Sequence, residues 1–204
     1  FSTPFPFPEL PEPAFLALQP SDRPLEARHC RLSDETPFPL RDYRQHVEER
    51  VVGYSNAKLS TVQGKHATVG ALARLNLGPD LEPLAAELFV THKQELVGKD
   101  VRSNNLAQAI EMCHATERAL RLIDRLIELG PQREEAPAIP PRAANGSAAC
   151  EAPRGTLIHS YCFDAQGLCT AADVITPTAL NQGALARDLL AALESKHLAH
   201  AYLD

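Results

Sequence analysis

Between residues 103 and 130 the apolar positions Leu106, Ile110, Cys113, Leu120, Ile123 and Ile127 recur at helical spacing among polar neighbours. The stripe opens at Ser103 or Asn104 and stops at Gly130-Pro131, so it predicts a helix from Asn105 to Leu129. Val47, Val51 and Tyr54 keep the same period, with Asp42 as N-cap ahead of Glu48 and Glu49, and predict a helix over 42–58. Further helices are expected over 81–97 and, from Leu185, Leu189, Leu190 and Leu193, over 183–198. Thr156 to Phe163 and Leu168 to Thr176 read as strands joined by the turn-forming Asp164-Ala165-Gln166-Gly167. The glycine-bounded run from Gly64 to Asn76 is only briefly apolar and reads as a short strand or loop.

Proline changes this picture in two places. Of 17 prolines, nine lie between Pro4 and Pro39 and five between Pro131 and Pro153, and each biases its predecessor away from the helical region. Residues 1–40 are therefore expected as an extended arm whose Phe5, Phe7, Phe15 and Leu16 need a surface to rest on: the arm is either disordered or packed on parts of the same subunit outside this sequence. Residues 131–149 are expected as a linker or crossover. Between them, 41–130 is a helical segment, and 150–204 is a hairpin plus C-terminal helix. The fold class expected is α+β, mainly α, with one β-hairpin near the C-terminal third.

Charge and cysteine content narrow the function. A formal net charge of -6 with no dense Lys/Arg run argues against a nucleic-acid surface. No apolar run approaches the roughly 18 to 20 residues that span a bilayer, and Phe1-Ser2-Thr3-Pro4 is not a signal peptide but reads as a chain that began earlier. Five cysteines, Cys30, Cys113, Cys150, Cys162 and Cys169, form an odd set without a C-x-x-C pair. That speaks against a disulfide framework or a local zinc site, and the expected home is the cytoplasm.

The segment richest in chemistry is Glu151-Ala152-Pro153-Arg154-Gly155-Thr156-Leu157-Ile158-His159. Pro153 and Gly155 fix the backbone on either side of one arginine, whose fork of donors can then be aimed at a single target. Further on, Pro177 leaves a backbone position without a donor and Thr178 supplies a hydroxyl; the bland reading is that the two end a strand and cap a helix. Glu151 can pair with Arg154 or relay protons. His159 alternates with Tyr161 on its strand and either orients a neighbour or packs. Cys162 and Cys169 flank the hairpin loop. The neighbours Cys113-His114 and His29-Cys30 look like ligand pairs, but adjacent helical residues diverge by about 100 degrees and cannot both grip one ion.

The run from Glu151 to His159, followed by Thr176-Pro177-Thr178-Ala179-Leu180-Asn181, resembles the nickel-iron hydrogenase large subunit, where E-A-P-R-G and P-T-x-x-N motifs occur in this order. Ser55-Asn56-Ala57-Lys58 and Val69-Gly70-Ala71-Leu72-Ala73-Arg74-Leu75-Asn76 resemble its soluble, cofactor-coupled branch, and Ala109-Ile110-Glu111 its A-R-x-x-E helix. The resemblance implies that Arg154 is the catalytic, active-site arginine, preceded by Pro153, and that Thr178, after Pro177, hydrogen-bonds an iron-bound cyanide. It makes the Val174 backbone carbonyl a magnesium ligand in those relatives that hold this ion.

It further implies a nickel-iron centre with cyanide and carbonyl ligands and reversible heterolytic cleavage of dihydrogen. The implied partners are an iron-sulfur hydrogenase small subunit, together with acceptor subunits of an NAD, deazaflavin (F420) or heterodisulfide system. The family's metals are bound by four thiolates in two C-x-x-C pairs, and neither pair is in this sequence. The chain is thus expected to be an internal fragment, inactive alone. The alternatives are a metal-free hydrogenase-like scaffold and a relative of the complex I quinone-site subunit.

Overall fold

The computed structural model describes residues 10, 13–19, 29–33, 35–131, 133 and 135–194. In chain order the elements are β1 (Ala14–Leu18), β2 (His29–Leu32), β3 (Phe38–Pro39), a 3-10 helix (Leu40–Gln45), β4 (Val47–Arg50), β5 (Leu59–Val62) and β6 (Ala67–Thr68). Then come α1 (Ala71–Asn76), α2 (Pro83–Thr91), α3 (Lys93–Leu96), a 3-10 turn (Val101–Ser103) and α4 (Asn104–Leu129). The chain continues through β7 (Ala144–Ala152), β8 (Gly155–Phe163), β9 (Cys169–Ile175) and α5 (Pro177–Glu194).

The strands form a four-stranded sheet in the order β3-β2-β1-β6, a β4-β5 hairpin and a three-stranded sheet β7-β8-β9. Among the described residues only β1 and β6 pair in parallel. The fold is mixed α and β, with far more sheet than the single hairpin expected.

The expected arm carries β1, β2 and β3. Phe15, Leu16, Leu32 and Phe38 are all buried, and of the described prolines Pro13 and Pro37 stand just before strands and Pro39 lies on the edge strand β3, where a missing N–H costs no ladder bond. Phe5 and Phe7 lie outside the described residues.

The helix expected over 42–58 is absent. Tyr43 is buried in a 3-10 turn, Val47 pairs with Val62 across β4 and β5, and Val51 and Tyr54 are 84% and 70% exposed. Two adjacent β-branched residues and Gly53 disfavour helix there, and an antiparallel partner was at hand.

The expected linker has no regular structure in its described residues up to Ala143, but its end becomes a strand. Ala144 to Ala149 belong to β7, whose small residues have little intrinsic strand preference and become a strand through nine-residue pairing with β8. The short strand or loop of 64–76 resolves into β6 and α1. The helix expected over 81–97 breaks at His92 into α2 and α3.

The last helix starts six residues early. Pro177 takes the first helical position, and the Thr176 hydroxyl accepts from Ala179 N at 3.3 Å. Its expected end, 195–198, lies outside the described residues. The long helix and the 156–176 hairpin fall within one or two residues of expectation.

Two apolar cores result. One joins Leu16, Leu32, Phe38, Val62, Val69, Ile158, Ile175 and Leu180, between the sheets and α5. The other joins Phe15, Leu72, Leu75, Leu96, Ala107 and Ile110, between β1 and the first four helices. Phe15 and Leu16 point to opposite sides of β1, as strand geometry requires, so this strand separates the cores. On the predicted stripe of α4 Ile110 is buried and Leu106 and Cys113 are half-buried, whereas Leu120, Ile123 and Ile127 are exposed.

Candidate functional site

The β7–β8 ladder closes at Ala152 opposite Gly155, which leaves Pro153 and Arg154 as a two-residue turn. Gly155 has φ +127, and a side chain there would run into Val69 and place its Cβ 2.8 Å from Gly70 N. Gly70, at φ +109, lies against the Arg154 carbonyl, 3.1 Å from where its own Cβ would be. The turn therefore touches the β6–α1 corner backbone to backbone, an approach that only glycine permits.

Side chains clamp this corner from two directions. From α5, Asn181 Oδ1 accepts from Val69 N at 2.8 Å, and Asn181 Nδ2 faces the carbonyls of Val69 at 3.4 Å and Arg154 at 3.5 Å. From α1, Arg74 donates to both Glu111 oxygens at 2.6 Å, to Glu151 Oε2 at 2.7 Å and to the Ala152 carbonyl at 3.2 Å. The other Glu151 oxygen accepts from Leu18 N and Thr156 Oγ1, each at 2.8 Å. Burial works against the charge of Arg74, but the hydrogen bonds and charges of the two glutamates outweigh it and raise its pKa above the ordinary arginine value.

Glu151 thus pairs with Arg74 rather than Arg154. Arg154 itself is exposed, and among the described residues no side chain accepts from its guanidinium. It stands at a cleft of about 220 Å³ whose walls are Thr68 to Ala71, Asn104 and Gln108 of α4, and Asn181, Leu185 and Asp188 of α5. Asp188 is buried and held by Arg187 at 2.8 Å. Behind the turn a second, more open hollow of about 540 Å³ exposes the Arg74–Glu111–Glu151 network beside His114.

Of the residues singled out in the sequence, Pro153 and Arg154 line the cleft. Pro177 is buried at the start of α5, and Thr178 is exposed one turn before Asn181, on the same helical face by spacing. Val174 sits mid-ladder opposite His159, away from the cleft lining. His159 Nδ1 lies 2.7 Å from the Tyr161 hydroxyl on the outer side of the sheet. Cys162 faces Ala171 and Cys169 faces Phe163 in the register, so the two thiols are not opposed, and both are free. His114 Nδ1 accepts from Glu82 N at 3.0 Å, which takes it away from any joint role with Cys113.

Asn181, Arg74, Glu111 and Asp188 are the residues missed. The first three lie in the motif blocks quoted above, which was the available signal; nothing in the sequence marked Asp188.

Cys30 is buried in the first core, and desolvation, then the charge of Glu151, pushes its thiol from 9.0 up to about 12. The folded chain keeps this proton where the unfolded chain loses it. Stability from Cys30 is therefore complete below pH 9 and is lost as pH rises towards about 12. Iodoacetamide at pH 8 is expected to label the exposed Cys150, Cys162 and Cys169 and to spare Cys30 until urea is added; mass mapping of labelled peptides decides this.

Among the described residues no three His, Cys, Asp or Glu side chains converge as a metal site. The cysteines are spread over both cores, the long helix and the outer strands, so the residues present do not fit the four-thiolate set of a nickel-iron centre.

No family model matches the chain. It is 40% identical to the alpha subunit of sulfhydrogenase 2 from Pyrococcus furiosus over 145 residues, which cover 71% of this chain and 35% of that protein. It is 36% identical over 156 residues to the alpha subunit of sulfhydrogenase 1 from the same organism, covering 75% of this chain and 36% of that one. To the beta subunit of the NAD-reducing hydrogenase HoxS from Cupriavidus necator it is 31% identical over 170 residues, covering 77% of this chain and 34% of the relative.

Among solved structures, an NAD+-reducing [NiFe]-hydrogenase in the H2-reduced state shares the fold at TM-score 0.64 and 22% identity, over 88% of this chain and 45% of that one. No helix among the described residues is long and apolar enough to cross a membrane.

The relatives correct the large-subunit expectation. They are alpha and beta subunits of their hydrogenases and, in Archaeoglobus profundus, an iron-sulfur subunit of an F420-non-reducing hydrogenase, so the large-subunit assignment is withdrawn. The chain spans about a third of the length of the curated relatives it matches, and it is related to hydrogenase subunits.

Proposed function

We propose that this chain forms, within a hydrogenase subunit, the wall that presents Arg154 to the site of reversible heterolytic dihydrogen cleavage. The observation that carries this reading is a guanidinium without a partner among the described residues, held at a cleft by a turn fixed on both flanks. Cleavage separates a hydride from a proton, and charge develops as the bond parts. A guanidinium remains protonated at any ordinary pH, so Arg154 acts by positive charge and directed donors rather than as a base.

In this reading Thr178 adds one hydroxyl donor, Pro177 and Pro153 keep backbone donors away, and the Val174 carbonyl is offered to magnesium. The group served is a nickel-iron centre with cyanide and carbonyl ligands, whose thiolates come from outside the described residues. Further subunits carry electrons through iron-sulfur clusters to a soluble acceptor. The exposed free thiols suit the reducing cytoplasm.

Arg154→Ala and Arg154→Lys in the assembled hydrogenase test the reading through dihydrogen-dependent dye reduction, with metal content measured alongside. Turnover is expected to fall about a hundredfold in the alanine variant at unchanged metal content, the scale of losing one directed donor in a water-poor site. A lysine variant within a few-fold of the parent overturns any special role for the guanidinium.

A further inference from the structure

We propose that Asn181 is the positioning residue that sets the backbone from which Arg154 reaches the cleft, an inference that rests on the function proposed above. The Ala152–Gly155 pair ends the ladder, so the carbonyls of the two turn residues have no strand partner. Arg74 lies near the Pro153 carbonyl, at 3.5 Å, on one side of the turn, and Asn181 faces the Arg154 carbonyl, also at 3.5 Å, on the other. Asn181 uses both ends of its amide on backbone, accepting from Val69 N at 2.8 Å and facing Val69 O at 3.4 Å. In effect it pairs with Val69 as a neighbouring strand would, and spends its second donor on the arginine's own peptide.

The amide has little freedom to do otherwise. It lies one turn into α5, where Pro177 and the Thr176 cap fix the start of the helix and the adjacent Leu180 is wholly buried. Arg154, in contrast, has no side-chain partner among the described residues, so what the fold fixes is the stretch of backbone from which its side chain departs. Gly155 fixes how close the turn comes to Val69 and Gly70; Asn181 fixes how it is rotated there. Both bonds donated by Asn181 are long and each restrains the turn only weakly, so the 2.8 Å bond from Val69 N is what anchors the amide beside it.

The test is a double-mutant cycle in the assembled hydrogenase. Asn181→Asp is nearly isosteric, keeps the acceptor for Val69 N and replaces both donated bonds by a carboxylate oxygen facing two carbonyls; Asn181→Ala, which removes the same bonds without adding a charge beside Arg154, is run beside it and must show the same coupling. Each is made in the parent and in Arg154→Ala, with turnover, KM for dihydrogen, metal content and Tm recorded. Asn181→Asp is expected to lower kcat about tenfold in the parent, with KM within about twofold and metal content unchanged, and by less than about twofold in Arg154→Ala.

An equal loss in both backgrounds overturns the proposal, because Asn181 then acts independently of the arginine. Full activity of Asn181→Asp in the parent overturns it as well. If Arg154→Ala alone leaves turnover intact, the arginine reading itself falls, and this inference with it.

Discussion

Gly155→Ala is expected to destabilise the folded chain by about 2–6 kcal/mol, a large fraction of the stability of an ordinary domain. Two terms add. The backbone stands at φ +127, a conformation that costs an L-residue about 1–3 kcal/mol. The new methyl group would also run into the Val69 side chain and lie 2.8 Å from Gly70 N, and overpacking of this kind costs about another 1–3 kcal/mol. Relief would require the turn to back away from the β6–α1 corner, which would take Arg154 out of the cleft. Urea denaturation of the variant beside Gly146→Ala measures this. Gly146 lies on the same sheet with nothing within 4 Å of an added Cβ, so its variant should change stability by under about 1 kcal/mol. Equal midpoints for the two variants would contradict the close approach.

Arg74→Met is expected to cost about 3–5 kcal/mol, because it leaves Glu111 and Glu151 charged and unpaired in a partly buried site. The side chains of the three residues are only 19%, 22% and 21% exposed, so solvent offers limited relief. Breaking such a triad costs more than never having built it. Adding Glu111→Gln and Glu151→Gln to Arg74→Met is therefore expected to recover more than half of the loss, and denaturation midpoints of the parent, the single and the triple variant read this directly. No recovery would mean that the arginine serves by packing rather than by charge. Because Glu151 also accepts from Leu18 and Thr156, the single variant should loosen β1 and β8 together, visible as amide exchange rising in both strands.

Both predictions concern residues whose importance was only half legible beforehand. Gly155 was marked by its place after Pro153 and Arg154, since glycine beside proline signals a fixed turn. Arg74 and Glu111 stood in quoted motifs but carried no partner, and Glu151 was offered to Arg154, its nearest cation in sequence. An ion pair across 77 positions cannot be read from spacing. The same holds for Asn181, 112 positions from Val69: an amide that substitutes for a strand looks in sequence like any other helical asparagine.

What the sequence determined by itself is what local chemistry dictates. The period of α4 and its glycine stop, the turn residues between β8 and β9, and the proline and glycine that frame Arg154 all act within a few residues of themselves. Tertiary structure decided the rest. Val47 and Val51 had a helical period, yet β5 offered Val47 a strand partner; Ala144 to Ala149 had no strand preference, yet β8 supplied nine paired positions. Ala14–Leu18, His29–Leu32 and Phe38–Pro39 of the proline-rich beginning became a sheet because Phe15, Leu16, Leu32 and Phe38 could be buried there, each by roughly 1.5–3 kcal/mol, far more than local preferences weigh. The cleft belongs to the same class: β6, α1, α4, the Pro153–Arg154 turn and α5 meet there only because two cores on either side of β1 pull them together.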